Sequence, residues 1–402
     1  MNSTETKAEK RLWLFGLLIG PNAVISHSVV GGTLSLLLRR EGVGMARSAT
    51  IVSLLWLPFV TNFLWGPVTD FWLKRRSWIL VASSAAALLM VAAFHMSSLA
   101  SPAAIALLFV SACFGQLVLA SCGGMLGMLQ SESSRRRAGS FYQGGSLAIG
   151  STGVFVISIL VDRISVHALS WVIAFMIVLP ALGALAMPLE QEIARESFRA
   201  ELGRIGREFR TTFLRWEALP YTLLLCSPMG SGAAIGLLTG LAKDYHVTAS
   251  EVAWMNGIAS LLLTPVGAIA AGRLPVRFKS TAGYLAMAAL NAATLIVLWA
   301  GPMQPLTYFV STGLFLFTIG ACYAMYTAVT LDFLGDSGKS GSARFSLINS
   351  VGNVPVTYVN WLDGRGYAAW GPRGLPATEA MLGLVGSGVW AVYFFWRRKR
   401  RV

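Results

Sequence analysis

Gly66-Pro-Val-Thr-Asp70-Phe-Trp-Leu-Lys74-Arg75-Arg76 sets a glycine, an acid and three cations into a short gap between two long apolar runs. Charge beside hydrocarbon is costly unless it meets water or other protein, so this group needs a reason to be there. Asp70 falls where one run ends, close enough to a helix terminus to pair with a neighbouring helix end or a loop cation. Lys74, Arg75 and Arg76 mark that side as cytoplasmic. The plainer reading is a polar turn whose basic residues only set topology.

Composition extends that reading to the whole chain. Of the 402 residues 55% are apolar and only 12% charged, which excludes an ordinary soluble protein. A helical span takes about 20 apolar residues. The chain divides into twelve such runs joined mostly by short loops, which predicts an all-α membrane protein of twelve transmembrane helices in two pseudo-symmetric six-helix bundles. The net charge of +14 would suit nucleic acid, but most of the 32 Lys and Arg fall on one predicted side. That asymmetry is what insertion demands, so both termini are expected in the cytoplasm and no nucleic-acid partner is expected. The four cysteines lie inside apolar runs and read as small packing residues rather than a disulfide framework. The first ten residues are polar and lead into a run too long for a signal-peptide core, so no cleaved signal is expected.

From Leu189 to Trp216 apolar residues recur at intervals of three or four, with Arg and Glu opposite. This predicts an amphipathic helix on the inner membrane surface, joining the two bundles. The expected domains are residues 1–188, a linker 189–218, and 219–402. The turn Gly267-Ala-Ile-Ala-Ala271-Gly-Arg273 takes the place of the opening stretch in the second half, with Ala271 where the acid would stand, as in a duplicated unit.

All the carboxylates fall at or beyond predicted helix ends, and no acid pair, metal-spaced His/Cys cluster, phosphate loop or nucleophile elbow can be assembled from them. No catalytic residue, metal site or cofactor is expected. Solute-binding candidates are the polar and aromatic side chains of the spans. His27 lies mid-span in the first helix, which Gly20-Pro21-Asn22 and Gly31-Gly32 interrupt; it can titrate or hydrogen-bond a solute, or rest as a neutral histidine satisfied by a neighbour. Gln116 sits on a small, polar stripe of the fourth span, and Gln143 on a glycine-rich face of the fifth. Tyr323 and Tyr326 share a face of the tenth span, which suits an amphipathic solute or plain core packing. Asn349, Asn353, Thr357, Asn360 and Asp363 form one polar face along the eleventh span, read as a wet translocation path with an interhelical seam as the alternative. Arg39, Arg40 and Arg344 stand at span mouths, where a guanidinium fork can attract an anionic substrate; Arg344 could equally pair with Asp332 or Asp336.

The opening stretch resembles the loop between the second and third helices of major facilitator transporters: Gly66, Asp70, Lys74 and Arg75 match, while Phe71 and Leu73 depart from the usual cation and second glycine. Ser140-Phe-Tyr142-Gln143-Gly144-Gly-Ser146 through Gly153, and Ser342-Ala-Arg344 through Asn349 to Asn353, resemble segments of the branch holding AmpG-type muropeptide permeases and acetyl-CoA transporters. That resemblance implies alternating access and usually proton symport of an anionic, amphipathic solute such as a muropeptide, siderophore or acyl-CoA. It implies that Gln143, Tyr326, Asn349 and Asn353 are pore candidates, beside Asn22, His27, Gln116 and Tyr323. Gly66, Asp70, Lys74, Arg75 and Arg76 would control a closed state. The expected partners are a small solute, protons and the lipid bilayer of a bacterial inner membrane, with the chain acting as a monomer. The alternative is a transporter-shaped assembly factor or sensor that moves nothing.

Overall fold

The computed structural model describes residues 11–70, 73–127, 129, 132–187, 203, 206–207, 209–210, 213–214, 216, 218–272, 280–334, 347 and 350–399. These residues build helices, and none of them forms a strand. The first bundle comprises α1 (Leu14–Arg40), α2 (Met45–Thr69), α3 (Arg75–Phe94), α4 (Pro102–Gly127), α5 (Glu132–Leu160) and α6 (Val166–Ala186). The second opens with α7, in two pieces, Leu219–Leu225 and Ala234–Leu241. It continues through α8 (Ala249–Gly272), α9 (Ser280–Ala300), α10 (Pro305–Leu334), α11 (Val354–Trp370) and α12 (Gly374–Lys399). Ten segments of described residues are long and apolar enough to cross a membrane. The last of them, Ser350–Arg397, turns at Gly371–Arg373 into two crossings, and the interrupted α7 adds another, which accounts for the twelve expected.

Local chemistry sets the helix ends. Pro102 and Pro305 open α4 and α10, where the missing N–H costs nothing. The Ser165 side chain accepts the N–H of Ala168, and Thr248 with Glu251 forms a capping box at the start of α8. In α1 the Gly-Pro and Gly-Gly interruptions do not end the helix: Val24–Thr33 widens into π-helical turns, and the Thr33 hydroxyl donates to the carbonyl of Ser28 at 2.8 Å. Ala253–Ala259 in α8 widens in the same way.

The apolar run from Pro220 to Leu241 is long enough for one span, but it does not form one unbroken helix. Pro228 removes a backbone donor, and Gly230 and Gly232 adopt φ of +62° and +74°, a region other residues enter only with strain. The second piece of α7 therefore begins inside the bundle as a separate short helix.

The start of α1 and the end of α6 share one face of the molecule, since Arg11 donates to the carbonyl of Ala186. The start of α7 and the end of α12 meet as Tyr221 and Phe394, with ring centroids 6.2 Å apart. The far ends of α1 and α7 meet through Arg39 and Asp244. We call the first side the near face and the second the far face. One apolar core includes Val29, Val30, Leu34 and Leu38 of α1 together with Leu237, Leu238, Leu241 and Tyr245 of the second bundle, so the far half of the molecule packs as one body. Toward the near face the first bundle has its own core of Leu14, Leu18, Ile79, Val118 and Ala184. Most of the expected linker helix lies outside the described residues; within it, Phe209 and Phe213 pack with Leu225, Leu347 and Phe63.

Candidate functional site: the seam between the bundles

Among the described residues, three helix pairs make most of the contact between the bundles. Gly236 in the second piece of α7 lies against Gly31 of α1 so closely that an added Cβ would sit 2.8 Å from the Gly31 carbonyl oxygen. One turn further out the Ser35 hydroxyl donates to the carbonyl of Gly236 and lies 3.0 Å from the Thr239 hydroxyl. At the rim Arg39 meets Asp244 at 2.8 Å, and the Tyr367 hydroxyl of α11 donates to the other oxygen of Asp244 at 3.1 Å. In the second pair, α2 and α11, Gly364 abuts Ala46 and Ala49, the Ser53 hydroxyl donates to the carbonyl of Thr357 at 2.5 Å, and the Asn353 amide donates to the carbonyl of Phe59 at 3.3 Å. The third pair joins α5 to α8 near the far face, where Gly257 packs on Phe155 and Trp254 stands edge-on to it at 5.4 Å.

Along this seam, several sequence candidates come together. His27 is exposed although it sits midway along α1, deep among other helices, as a side chain lining an internal space must be. Its Cβ packs over Gly150 of α5. Tyr323 of α10 is 41% exposed and equally enclosed, and its hydroxyl fills the place where a Cβ on Gly232 would stand. The two are linked in space: His27 is one turn from Gly31, Gly31 touches Gly236, and Gly236 is one turn from Gly232. Tyr326 stacks edge-on to Tyr284 at 5.9 Å and covers Gly352. Gln143 is exposed on α5, on the glycine face that lets α5 approach α1: Gly145 meets the Gly16 backbone, and the Ser28 hydroxyl donates to the carbonyl of Gly150 at 2.9 Å.

Other candidates fall elsewhere. Asn22 and Gln116 are buried, and the Gln116 amide has no hydrogen-bond partner among the described residues. The polar face of α11 is a packed seam rather than a wet path: Asn353 bonds α2, Thr357 donates to its own helix at Val354, and Asn360 and Asp363 are fully buried. Arg39 and Arg40 are not free anion traps, because Arg39 pairs with Asp244 and Arg40 with Asp162. Arg344 and Asn349 lie outside the described residues. In the opening motif Gly66 lies near the end of α2 and Asp70 continues its helix by one residue, and the Thr69 hydroxyl donates to the Gly66 carbonyl at 2.8 Å. Lys74 precedes α3 in extended conformation, Arg75 donates to the carbonyl of Gly124 at 3.1 Å, and Arg76 to that of Met187 at 3.2 Å. The motif cations thus tie α3 to the near ends of α4 and α6. The side chain of Asp70 lies outside the described set.

An acid pair that the sequence reading excluded is present. α11 runs to Trp370 and α12 begins at Gly374, so Asp363 and Glu379 lie inside their helices rather than at their ends and face each other at hydrogen-bonding range. Both are buried, Asp363 completely. The signal was the glycine-rich turn at Gly371 to Gly374, which folds α12 back against α11 and brings together acids that are distant in sequence. An open groove of about 1040 Å³ is a different feature: it lies on the near-face flank between Tyr221, Leu285, Phe394 and Arg397, away from the seam.

A bundle of long apolar helices whose halves touch chiefly toward one face suits a multi-pass membrane protein. The comparisons agree: the Major Facilitator Superfamily profile matches residues 23–359, and the chain belongs to that family. It is therefore a transporter rather than an enzyme. Solved structures with the same fold include a D-xylose–proton symporter (12% identity, 96% of this chain and 97% of that chain, TM-score 0.68). A variant of the nucleoside transporter NupG aligns at 15% identity over 96% of this chain and 100% of that one, with TM-score 0.69. A POT family transporter in complex with a thioalcohol-conjugated peptide aligns at 10% identity over 96% of both chains, with TM-score 0.63. No curated protein matches the sequence.

Proposed function

We propose that this chain is a secondary transporter of a bacterial inner membrane that moves a small anionic or amphipathic solute by alternating access, with the near face in the cytoplasm. The observation that carries the reading is the unbroken path from His27 through Gly31, Gly236 and Gly232 to Tyr323. The exposed His27 and Tyr323, one from each bundle, and the Arg39–Asp244 pair toward the far face support it. The positive charge carried at Arg11, Lys74, Arg75, Arg76 and Arg137 supports that sidedness, and with it cytoplasmic termini. The working units are residues 1–188 and 219–402, joined through 189–218.

His27, Gln143, Tyr323 and Tyr326 are the solute contacts on this reading, with Asn349 and Arg344 at the near mouth and Asn353 holding α11 to α2 beside them. Asn22 and Gln116 support the wall from behind. The motif from Gly66 to Arg76 steadies the near ends of α2 and α3 as the bundles rock. Resemblance to the muropeptide-permease and acetyl-CoA transporter branch favours an anionic amphipathic cargo, and the aromatic Tyr323 and Tyr326 beside polar His27 and Gln143 suit one. Uptake into vesicles containing the purified protein tests this, with labelled anhydromuropeptide, siderophore, acyl-CoA and sugar supplied with and without a proton gradient. Saturable entry of one class supports the proposal. Failure of all four to equilibrate in a correctly folded preparation would favour the assembly-factor or sensor reading.

A further inference from the structure

Asp363 and Glu379 stand apart from the solute path and have a distinct chemical problem. Both oxygens of Asp363 and Oε2 of Glu379 are buried and meet no donor among the described residues. Each carboxyl has the other as its polar neighbour, and Glu379 also accepts the backbone N–H of Ala234. The surrounding elements bring no neutralising cation. Tyr323 of α10 and Tyr358 of α11 are the titratable side chains that face Glu379, and the Tyr358 hydroxyl donates to the carbonyl of Cys226. α9 and the second piece of α7 have no charged residue. Arg47 of α2 donates to Ala100, Arg365 lies over Trp361, Arg373 donates to Gly301, and Arg39 is held by Asp244. Two carboxylates in contact in a dry site without a cation cannot both stay ionised.

We propose that Asp363 and Glu379 form a proton-binding site that holds the second piece of α7 in the closed far-face seam. With one proton bound, one carboxyl is an acid whose O–H donates to the other, and Glu379 remains seated on the N–H of Ala234. Loss of that proton to water leaves two like charges in contact. They are relieved when water enters between α11, α12 and the second piece of α7. That piece carries Gly236 and Thr239, which seal against Ser35, so the same movement opens the far face. A small metal cation is the weaker occupant, because two carboxyls and no further free oxygens fall short of the six or so ligands such ions take. The inference rests on the transport reading only for its sidedness.

The test needs no cargo, so its failure and a failure to find a transported solute are separate results. In a cysteine-free background, Ser35→Cys reports on the seam when vesicles are treated with a membrane-impermeant maleimide across a pH series. The expected result is labelling that rises severalfold from acid to alkaline pH. Asp363→Asn and Glu379→Gln each supply an N–H in place of the proton and are expected to hold labelling at the low, acid level throughout. Infrared difference spectra of the protein without the Ser35 change should show a protonated carboxyl band that both variants reduce. A flat pH profile in the reporter, the reporter's pH dependence retained in both variants, or absence of that band would overturn the proposal; sodium-dependent, pH-independent labelling would assign the pair to a metal cation instead.

Discussion

Gly145 and Gly66 put the same absence of a side chain to opposite uses. A Cβ on Gly145 would lie 2.2 Å from the carbonyl oxygen of Gly16, whereas a Cβ on Gly66 would meet nothing within 4 Å. Gly145→Ala must therefore push α5 off α1, at a cost of about 1–3 kcal/mol. Gly66→Ala gains helix propensity at the end of α2. Thermal unfolding in detergent should show a lowered midpoint for the first variant and an equal or raised one for the second; equal midpoints would mean that α1 and α5 do not meet there. The small face of α5 was legible in the sequence, because Gly144, Gly145, Gly150 and Gly153 recur at helical spacing. The partners of Arg39 and Arg40 were not, since Asp244 and Asp162 are distant along the chain and only the packing of α1 against α7 and α5 brings them close.

At the scale of an element, the break in α7 is the feature with most consequence. Gly232 combines a left-handed backbone with a Tyr323 hydroxyl 2.1 Å from its missing Cβ, whereas Gly230 has the backbone requirement but ordinary contacts at 3.4 Å. The left-handed region costs a non-glycine residue about 1–2 kcal/mol. Gly230→Ala should lose about that much stability and Gly232→Ala clearly more. Adding Tyr323→Phe to Gly232→Ala should restore the difference and leave the backbone cost. Thermal unfolding of the four proteins measures this as a double-mutant cycle, and strict additivity would show that the ring and the glycine do not share space. The stretch Ser227-Pro228-Met229-Gly230-Ser231-Gly232 carried the signal for this break, which the apolar run around it masked. Asp363 and Glu379 read as helix-end residues for a related reason, yet α11 continues to Trp370 and α12 starts at Gly374, which buries both acids.

For the whole molecule, apolar periodicity and the basic asymmetry made the fold class legible, because both follow from the bilayer rather than from any particular contact. The site was legible only in part. His27, Gln143 and Tyr323 could be picked from sequence because polar groups in a span need a reason, but whether such a group faces a cleft or a seam depends on which helix lies opposite, as α2 does for the polar face of α11. The account holds that two bundles rock about the far-face seam, with Arg39 and Asp244 as its clasp. Both side chains are only 16% exposed, so Arg39→Ala leaves a largely buried carboxylate with the Tyr367 hydroxyl as its hydrogen-bond donor. A loss of about 1.4 kcal/mol would shift the balance of states tenfold.

The direct test is a pair of spin-label distance measurements in lipid nanodiscs, in a cysteine-free background with and without Arg39→Ala. One sample carries Arg163→Cys with Lys243→Cys across the far face. The other carries Arg137→Cys with Gly272→Cys across the near face. The account predicts that Arg39→Ala populates a longer far-face distance and, to the same extent, a shorter near-face one. A far-face gap that widens while the near-face distance stays fixed would contradict it, because the bundles would then be fraying at the rim rather than rocking as bodies.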